Sequence, residues 1–393
     1  AVGNACPDPN ATPCAPYDYG SVSILLGDGT GNFHLASSPG VTAYPYSLAA
    51  GDFNRDGKLD LAVANAFDSV LTILLGDGAG DFAPTVLPVW FYPRSVAAGD
   101  LNGDGNLDLA VACQSAPYVR IMLGDGTGKF TSVPPPTMDP NQFSVVVADF
   151  NVDGKLDLAM ASYSNTTDTI LLGDGTGEFT KVSSVSTGKD SWSQVVGDFN
   201  GDGKLDLALA DHYGNTVSIF LGDGTGNFSA IAHPLSTDFF PRSVTVGDFN
   251  GDGKLDFVTA GDGARILLQN LVVEVWPKSL TFETLAVGES SASQSATLTN
   301  STFSALTISS IVATGDFGVA HKCPISPSTL VAGGNCTLEV TFAPTASGAR
   351  DGNVTIADDG PGSPQMVSLT GTGVAPAVSL STASVTFGNQ YVG

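Results

Sequence analysis

Short apolar runs separated by turn residues make up most of the chain. "LDLAVAN" (59–65) is followed by "VLTILLG" (70–76), and stretches rich in Gly, Asp and Asn break the runs apart. Runs of this kind, built from Val, Ile, Leu, Ala and Thr and bounded by turn signals, read as strands. No stretch sustains a helical period beyond about two turns. The pattern predicts an all-β protein, and the content of 47 Gly and 23 Pro agrees with it.

The runs recur at a fixed interval. "GDFNRDGKLDLAVAN" at 51 returns as "GDLNGDGNLDLAVAC" at 99, "ADFNVDGKLDLAMAS" at 148, "GDFNGDGKLDLALAD" at 197 and "GDFNGDGKLDFVTAG" at 247. The leading Asp falls at 52, 100, 149, 198 and 248, in steps of 48, 49, 49 and 50. A second phrase keeps the same interval, from "LLGDGTGNF" at 25 to "FLGDGTGNF" at 220. A period of about 50 residues with strand-like content predicts blades of a β-propeller, four strands to each. In the unit from 193 the strands are expected near Ser193–Val196, over Leu205–Ala210 and Thr216–Leu221, and after Phe228. "AVGNA" (1–5) aligns with "AVANA" (62–66), so the first residues are expected on the second strand of a blade, as in a piece of a longer protein. About six blades are visible.

The acidic loops stop near Leu271, and Ser and Thr become more frequent. "PKSLTFETLAVG" (277–288) and "STASVTFGNQYVG" (381–393) repeat each other 105 residues apart. Alternating runs such as "SATLTNS", "CTLEVTFAP" and "GNVTIAD" suit an Ig-like β-sandwich. The expected domains are a propeller over 1–271, a sandwich over 272–375 and the start of a second sandwich over 376–393.

Charge is concentrated. Only 14% of residues are charged, yet the net charge is −24 and the pI is about 4.1. Such a balance argues against nucleic acid and anionic membranes as partners. No run reaches the ~18 apolar residues of a membrane helix, so no membrane insertion is expected. Five repeated loops hold 15 of the 39 acidic residues. Written D-x-N-x-D-G-x-L-D, they offer side-chain oxygens at positions 1, 3, 5 and 9 and a backbone carbonyl at position 7. The donors are Asp52, Asn54, Asp56, Lys58 and Asp60 in the first loop, and Asp100, Asn102, Asp104, Asn106 and Asp108 in the second. The third has Asp149, Asn151, Asp153, Lys155 and Asp157, and the fourth Asp198, Asn200, Asp202, Lys204 and Asp206. The fifth has Asp248, Asn250, Asp252, Lys254 and Asp256. Hard oxygen donors without His or Cys select Ca²⁺, and the glycine at position 6 permits the sharp turn. Five such ions would bring the charge from −24 to about −14. A turn that merely caps a hairpin explains one such loop, but not five in register.

The loops and their period resemble the FG-GAP/VCBS repeats of integrin α-type β-propellers and of many bacterial secreted proteins. The resemblance implies calcium at these positions; Arg55 and Val152 stand where the family has Gly at position 4, and its integrin members have seven blades. Residues 273–393 resemble the bacterial ASH, or choice-of-anchor D, Ig-like repeats, carried by "CPISPSTLVAGGNCTLEVTFAP" (323–344) and its continuation to Gly373. That likeness implies a spacer or binding stalk.

The cysteine spacings suggest two disulfides, Cys6–Cys14 and Cys323–Cys336, and an oxidising, extracellular or cell-surface setting; free thiols are the alternative. Cys113 ends an apolar run and reads as a buried hydrophobe. A serine lies five residues before each acidic loop, and the residue preceding it is aromatic or arginine: Tyr46, Arg94, Phe143, Trp192 and Arg242. These are expected at one level near the mouth of the channel, on the face opposite the loops. They suggest a surface for a sugar or for a protein partner bearing a carboxylate, and packing between blades is the competing reading. Four scattered histidines and no nucleophile motif predict no enzyme. The sequence thus points to a calcium-binding adhesion or ligand-binding module with a protein or carbohydrate partner. A non-catalytic part of a larger extracellular carbohydrate-active enzyme, or a purely structural stalk, are the alternatives.

Overall fold

In the computed structural model, residues 1–4, 20–89, 91–134, 136, 141–163, 167–187, 190–231, 234–237, 240–268, 272–375, 386 and 388 are described. They form two compact units, Ala1–Gln269 and Asn270–Gly393. The expected Cys6–Cys14 pair and the second sandwich repeat lie outside the described residues, apart from positions 386 and 388. Among the described residues no helix is long and apolar enough to cross a membrane.

The first unit is six antiparallel sheets in chain order. Four of them have four consecutive strands, as in Pro45–Gly51, Asp60–Asn65, Val70–Gly76 and Phe82–Pro88. The fifth sheet adds a short strand, Leu235–Ser236, beside Thr216–Gly222. The first and sixth sheets have three strands each among the described residues. Innermost strands of successive sheets pack side by side, from Pro45–Gly51 through Pro93–Gly99, Gln142–Ala148 and Ser191–Gly197 to Ser243–Gly247. The fold is a β-propeller of four-stranded blades.

The second strand of each complete blade is buried at every residue. Period 2 then sorts its side chains onto the two faces that neighbouring blades cover. The alanine face of one blade takes the larger side chains of the next: Ala62 and Ala64 lie with Leu109 and Val111. Ala110 and Ala112 lie with Leu158 and Met160, and Ala159 and Ala161 with Leu207 and Leu209. Small against large lets the sheets approach without voids.

Position 2 of each acidic loop closes the loop end of the same interface. Phe53, Leu101, Phe150 and Phe199 are each at most 2% exposed, and Phe53, Phe150 and Phe199 meet Phe130, Phe228 and Phe257 edge to face. Each such burial contributes about 1.5–3 kcal/mol. Phe249, at the same position in the sixth sheet, is 48% exposed. Backbone bonds stitch the blades beside these rings: Gly128, Gly177 and Gly226 donate to the carbonyls of Phe53, Leu101 and Phe150.

The second unit is a two-sheet sandwich. One sheet runs Val273–Trp276, Gln294–Asn300, Asn335–Phe342, Phe317–His321. The other runs Ser279–Thr281, Gln365–Val374, Gly348–Asp358, Ile308–Ala313. Alternate residues such as Cys336, Leu338, Val340 and Phe342 fill the core. A disulfide joins Cys323 and Cys336. Asp316 accepts from Arg350 Nε and from the Thr345 backbone, and the bond from Arg350 leads in holding its carboxyl down at about 2.

The packing of both units can be tested by substitution. The fourth position of the acidic loop is left-handed: φ is +60° at Val152 and +59° at Arg55, where other loops have Gly103, Gly201 and Gly251. A β-branched residue is strained there. Val152→Gly is expected to raise the propeller's stability by about 1 kcal/mol in chemical denaturation, and Gly201→Val to lower it. In the sandwich, the depressed Asp316 makes its contribution in full above the ordinary carboxyl value of about 4 and loses it as pH falls toward 2. Asp316→Asn is therefore expected to lower the sandwich melting temperature at pH 7, with the deficit disappearing by about pH 2.

Candidate functional site

Two constellations lie at opposite ends of the inner strands. The acidic loops follow the C-terminal ends, and the aromatic and arginine ring sits at the N-terminal ends, about 20 Å away along seven residues.

The five acidic loops repeat one hydrogen-bond scheme. In the first, Asp52 accepts from the N–H of Asp56 at 3.1 Å and from that of Gly57 at 2.8 Å. Asn54 accepts from Asp56 N–H at 3.0 Å, and Asp56 from Lys58 N–H at 2.9 Å. The same bonds recur in the loops starting at Asp100, Asp149, Asp198 and Asp248. Gly57 and its four counterparts take φ between +80° and +84°, which closes the turn.

The carboxylates at position 9 do more than close the loop. Asp60, Asp108, Asp157, Asp206 and Asp256 are fully buried. Asp206 accepts from Phe199 N–H at 2.8 Å with one oxygen and from Gly222 N–H at 2.9 Å with the other. Asp60, Asp108 and Asp157 do the same with Phe53 and Gly76, Leu101 and Gly124, and Phe150 and Gly173. Each ties its loop to the hairpin between strands three and four. The glycine always lies 16 residues beyond the aspartate. That constant offset is present in the repeats, and it is the signal that a pure ligand reading of position 9 passes over.

Burial raises the Asp108, Asp157 and Asp206 carboxyls against the pull of those N–H groups, and the loop's other aspartates add to the rise. Asp206 reaches about 6. Lys58 and Lys204 stand 3.7 Å from Asp56 and Asp202. In the second loop, where position 7 is Asn106, Arg55 of the neighbouring blade donates to Asn106 Oδ1 at 3.3 Å. The donor set is hard oxygen throughout and suits a divalent cation. Among the described residues no three or more His, Cys, Asp and Glu side chains gather as a metal-binding group; the loop oxygens face the loop's own N–H groups.

At the other end, the structure brings the five ring residues together. Tyr46, Arg94, Phe143, Trp192 and Arg242, with the serine that follows each, line one axial cavity of about 520 Å³. In the four complete blades a β-bulge falls between the strand's pairing on either side of Tyr46, Arg94, Phe143 and Trp192. Two residues earlier, Tyr44, Tyr92, Asn141 and Asp190 take φ of +58°, +50°, +69° and +67°. Their carbonyls accept the N–H groups of Ala66, Gln114, Tyr163 and His212. A left-handed residue and a bulge thus present the ring side chain in each of these four blades.

The aromatic faces are largely occupied by each other and by the arginines. The Arg94 guanidinium lies 4.1 Å over Tyr46 and 4.9 Å over Phe143, and Gln114 Oε1 accepts from its Nε at 2.8 Å. Phe143 stacks on Tyr163 at 4.7 Å, and Trp192 on His212 at 4.3 Å. Arg242 stands 5.6 Å over Trp192 and 3.9 Å from exposed Asp262. The aromatics pack against one another and against the arginines, and an open cavity remains between them. Phe91, Tyr92 and Phe240 are partly exposed near this end; Trp90 and Phe239 lie outside the described residues. Cys113 is buried, and burial pushes its thiol up to about 12, as expected of an inert side chain.

Fold and loops together define a repeat β-propeller with a glycine-kinked acidic turn after each inner strand. The FG-GAP-like repeat model matches residues 14–63, 54–111, 100–160, 149–209 and 198–259, more than half of the chain, and the chain belongs to that family. Residues 273–366 match the ASH model (Abnormal spindle-like microcephaly-assoc'd, ASPM-SPD-2-Hydin). No curated protein matches. Among solved structures, the chain is similar to the ASH/PapD-like domain 7 of human CEP192 (19% identity, TM-score 0.23, covering 28% of this chain and 90% of that one). It is also similar to the periplasmic gluconolactonase PpgL of Pseudomonas aeruginosa (15% identity, TM-score 0.47, 65% and 75% covered). A third is a functionally unknown protein from Desulfotomaculum acetoxidans (12% identity, TM-score 0.45, 72% and 86% covered). These are likenesses of shape at low identity, and no activity is carried over from them.

Two substitution experiments separate the roles. Asp206→Ala leaves two buried N–H groups without their acceptor and is expected to cost about 2–4 kcal/mol in metal-free buffer, whereas Asp202→Ala there is expected to cost under about 1 kcal/mol; equal costs would contradict the pinning role. Arg94→Ala removes a stacked, hydrogen-bonded side chain and is expected to lower the melting temperature by about 2–4 °C. Arg242→Ala, exposed and weakly paired, is expected to leave it unchanged.

Proposed function

We propose that the protein is a non-catalytic, calcium-stabilised ligand-binding module that acts outside the cell, with the ring cavity as its binding surface and a protein or glycan as its partner. The observation that carries this reading is the division of labour along the inner strands. One end holds five acidic turns of identical construction, and the other holds a cavity whose lining differs from blade to blade. Repetition suits a scaffold, and variation suits recognition.

Asp, Asn and Asp at positions 1, 3 and 5, the buried Asp at position 9 and the carbonyl at position 7 would hold Ca²⁺ in each loop. The ion would supply positive charge where burial and neighbouring carboxylates otherwise press on one another. The Cys323–Cys336 disulfide supports an oxidising compartment. The family's repeat construction supports the scaffold role, and the ASH-type sandwich suits a spacer.

Removal of calcium tests the scaffold half. The melting temperature of the propeller is expected to fall by about 10 °C or more in EDTA and to be restored by Ca²⁺ but not by equimolar Mg²⁺, because five sites bound in the folded state alone add their linkage energies. An unchanged melting temperature would sink the proposal.

A further inference from the structure

We infer that the axial cavity is a site for an acidic saccharide, with uronate carboxylates held by Arg94 and Arg242 and sugar hydroxyls by the serine ring; this rests on the ring cavity being the ligand surface.

The lining is rich in donors. Ser47, Ser95 and Ser193 each accept, through Oγ, a backbone N–H from the next blade: Val96 at 3.2 Å, Val145 at 3.3 Å and Val244 at 3.3 Å. With the oxygen so engaged, each hydroxyl keeps its own hydrogen to donate. Arginine has donors only. No Asp or Glu lines the cavity among the described residues. A ligand that satisfies this wall must bring acceptors, and charged ones for the guanidinium groups.

The ring holds Arg94 in place. Arg94 is clamped between the faces of Tyr46 and Phe143, and Gln114 Oε1 accepts from its Nε and Nη2. Among the described residues its Nη1 makes no hydrogen bond, which leaves that edge for a ligand. Arg242, three blades further round, stands 5.6 Å over Trp192, with the exposed Asp262 carboxylate 3.9 Å away. A flat, pre-ordered guanidinium suits a carboxylate, because little freedom is lost on binding. The rest of the chain repels anions, with a net charge of −24, so two arginines focused at one concave point make a local exception.

The shape favours a saccharide over a folded protein. A volume of about 520 Å³ falls in the range of small-ligand sites, about 300–1,000 Å³, whereas protein partners use broad, flatter surfaces. Stacking on a sugar face is not the main attraction, because the aromatic faces are already taken. The edges do the recognition, through hydroxyl and guanidinium donors.

The test is calorimetric titration of the full chain with tetragalacturonate and with hyaluronan tetrasaccharide, each beside its carboxyl-reduced form, and with a tetraglutamate peptide. At least one of the two acidic saccharides is expected to bind and its reduced form to bind at least tenfold more weakly. Arg94→Gln and Arg242→Gln are each expected to weaken binding at least tenfold, with Arg120→Gln, on another strand, leaving it unchanged. Melting curves of each variant establish that it is folded. Failure of both acidic saccharides to bind, or binding that ignores carboxyl reduction and both ring variants, overturns the inference. If tetraglutamate alone binds, and loses affinity with the same variants, the saccharide assignment falls while the cavity stands as the ligand surface. If no probe binds, both fall.

Discussion

A buried carboxylate bonded by two backbone N–H groups is the interaction on which the rest of this propeller depends. Asp60, Asp108, Asp157 and Asp206 each sit at the start of a fully buried strand and reach both the head of the acidic loop and the hairpin between strands three and four. The bonds make an otherwise costly buried charge tolerable. They also set the loop's remaining oxygens on a rigid base. The aromatic or leucine side chain next to the leading aspartate is carried into the blade interface by the same geometry, so loop, hairpin and neighbouring blade are fixed together.

The two ends of the inner strand then serve different ends. Near the loops, repetition produces five equivalent acidic turns whose mutual repulsion is eased by N–H groups, by a few lysines and, in one case, by Arg55 from the adjacent blade. Near the cavity, the same blade plan carries a bulge and a left-handed residue, and the side chain presented there changes from blade to blade. Tyr44 and Tyr92 incur a cost of order 1–3 kcal/mol each in that conformation, held in place by the blades around them, whereas Asn141 and Asp190 are residue types that tolerate it.

Much of this was legible in the sequence because the repeat displays it five times. The period, the four strands, the sheet-to-sandwich transition and the level of Tyr46, Arg94, Phe143, Trp192 and Arg242 all come from alignment of the chain with itself. Three things did not. Position 9 looked like a ligand and nothing else, since its second partner, the glycine 16 residues on, belongs to a different phrase. The bulge is invisible in a pattern of apolar and polar residues, because it changes pairing and not composition. The sequence left the aromatics open between packing and a binding surface, because their contacts with Arg94, Arg242, Tyr163 and His212 depend on residues far apart along the chain. Each miss concerns a long-range contact within a motif whose local form was clear.

The proposal is that the acidic turns are calcium sites standing on an aspartate-pinned scaffold. Its most direct test is the metal content of EDTA-stripped protein re-equilibrated with Ca²⁺ and measured by equilibrium dialysis with elemental analysis. About five ions per chain are expected, one for each repeated loop, and Asp202→Ala should lose one of them while the other four remain. Uptake of no calcium, or a count that Asp202→Ala does not change, would contradict the account.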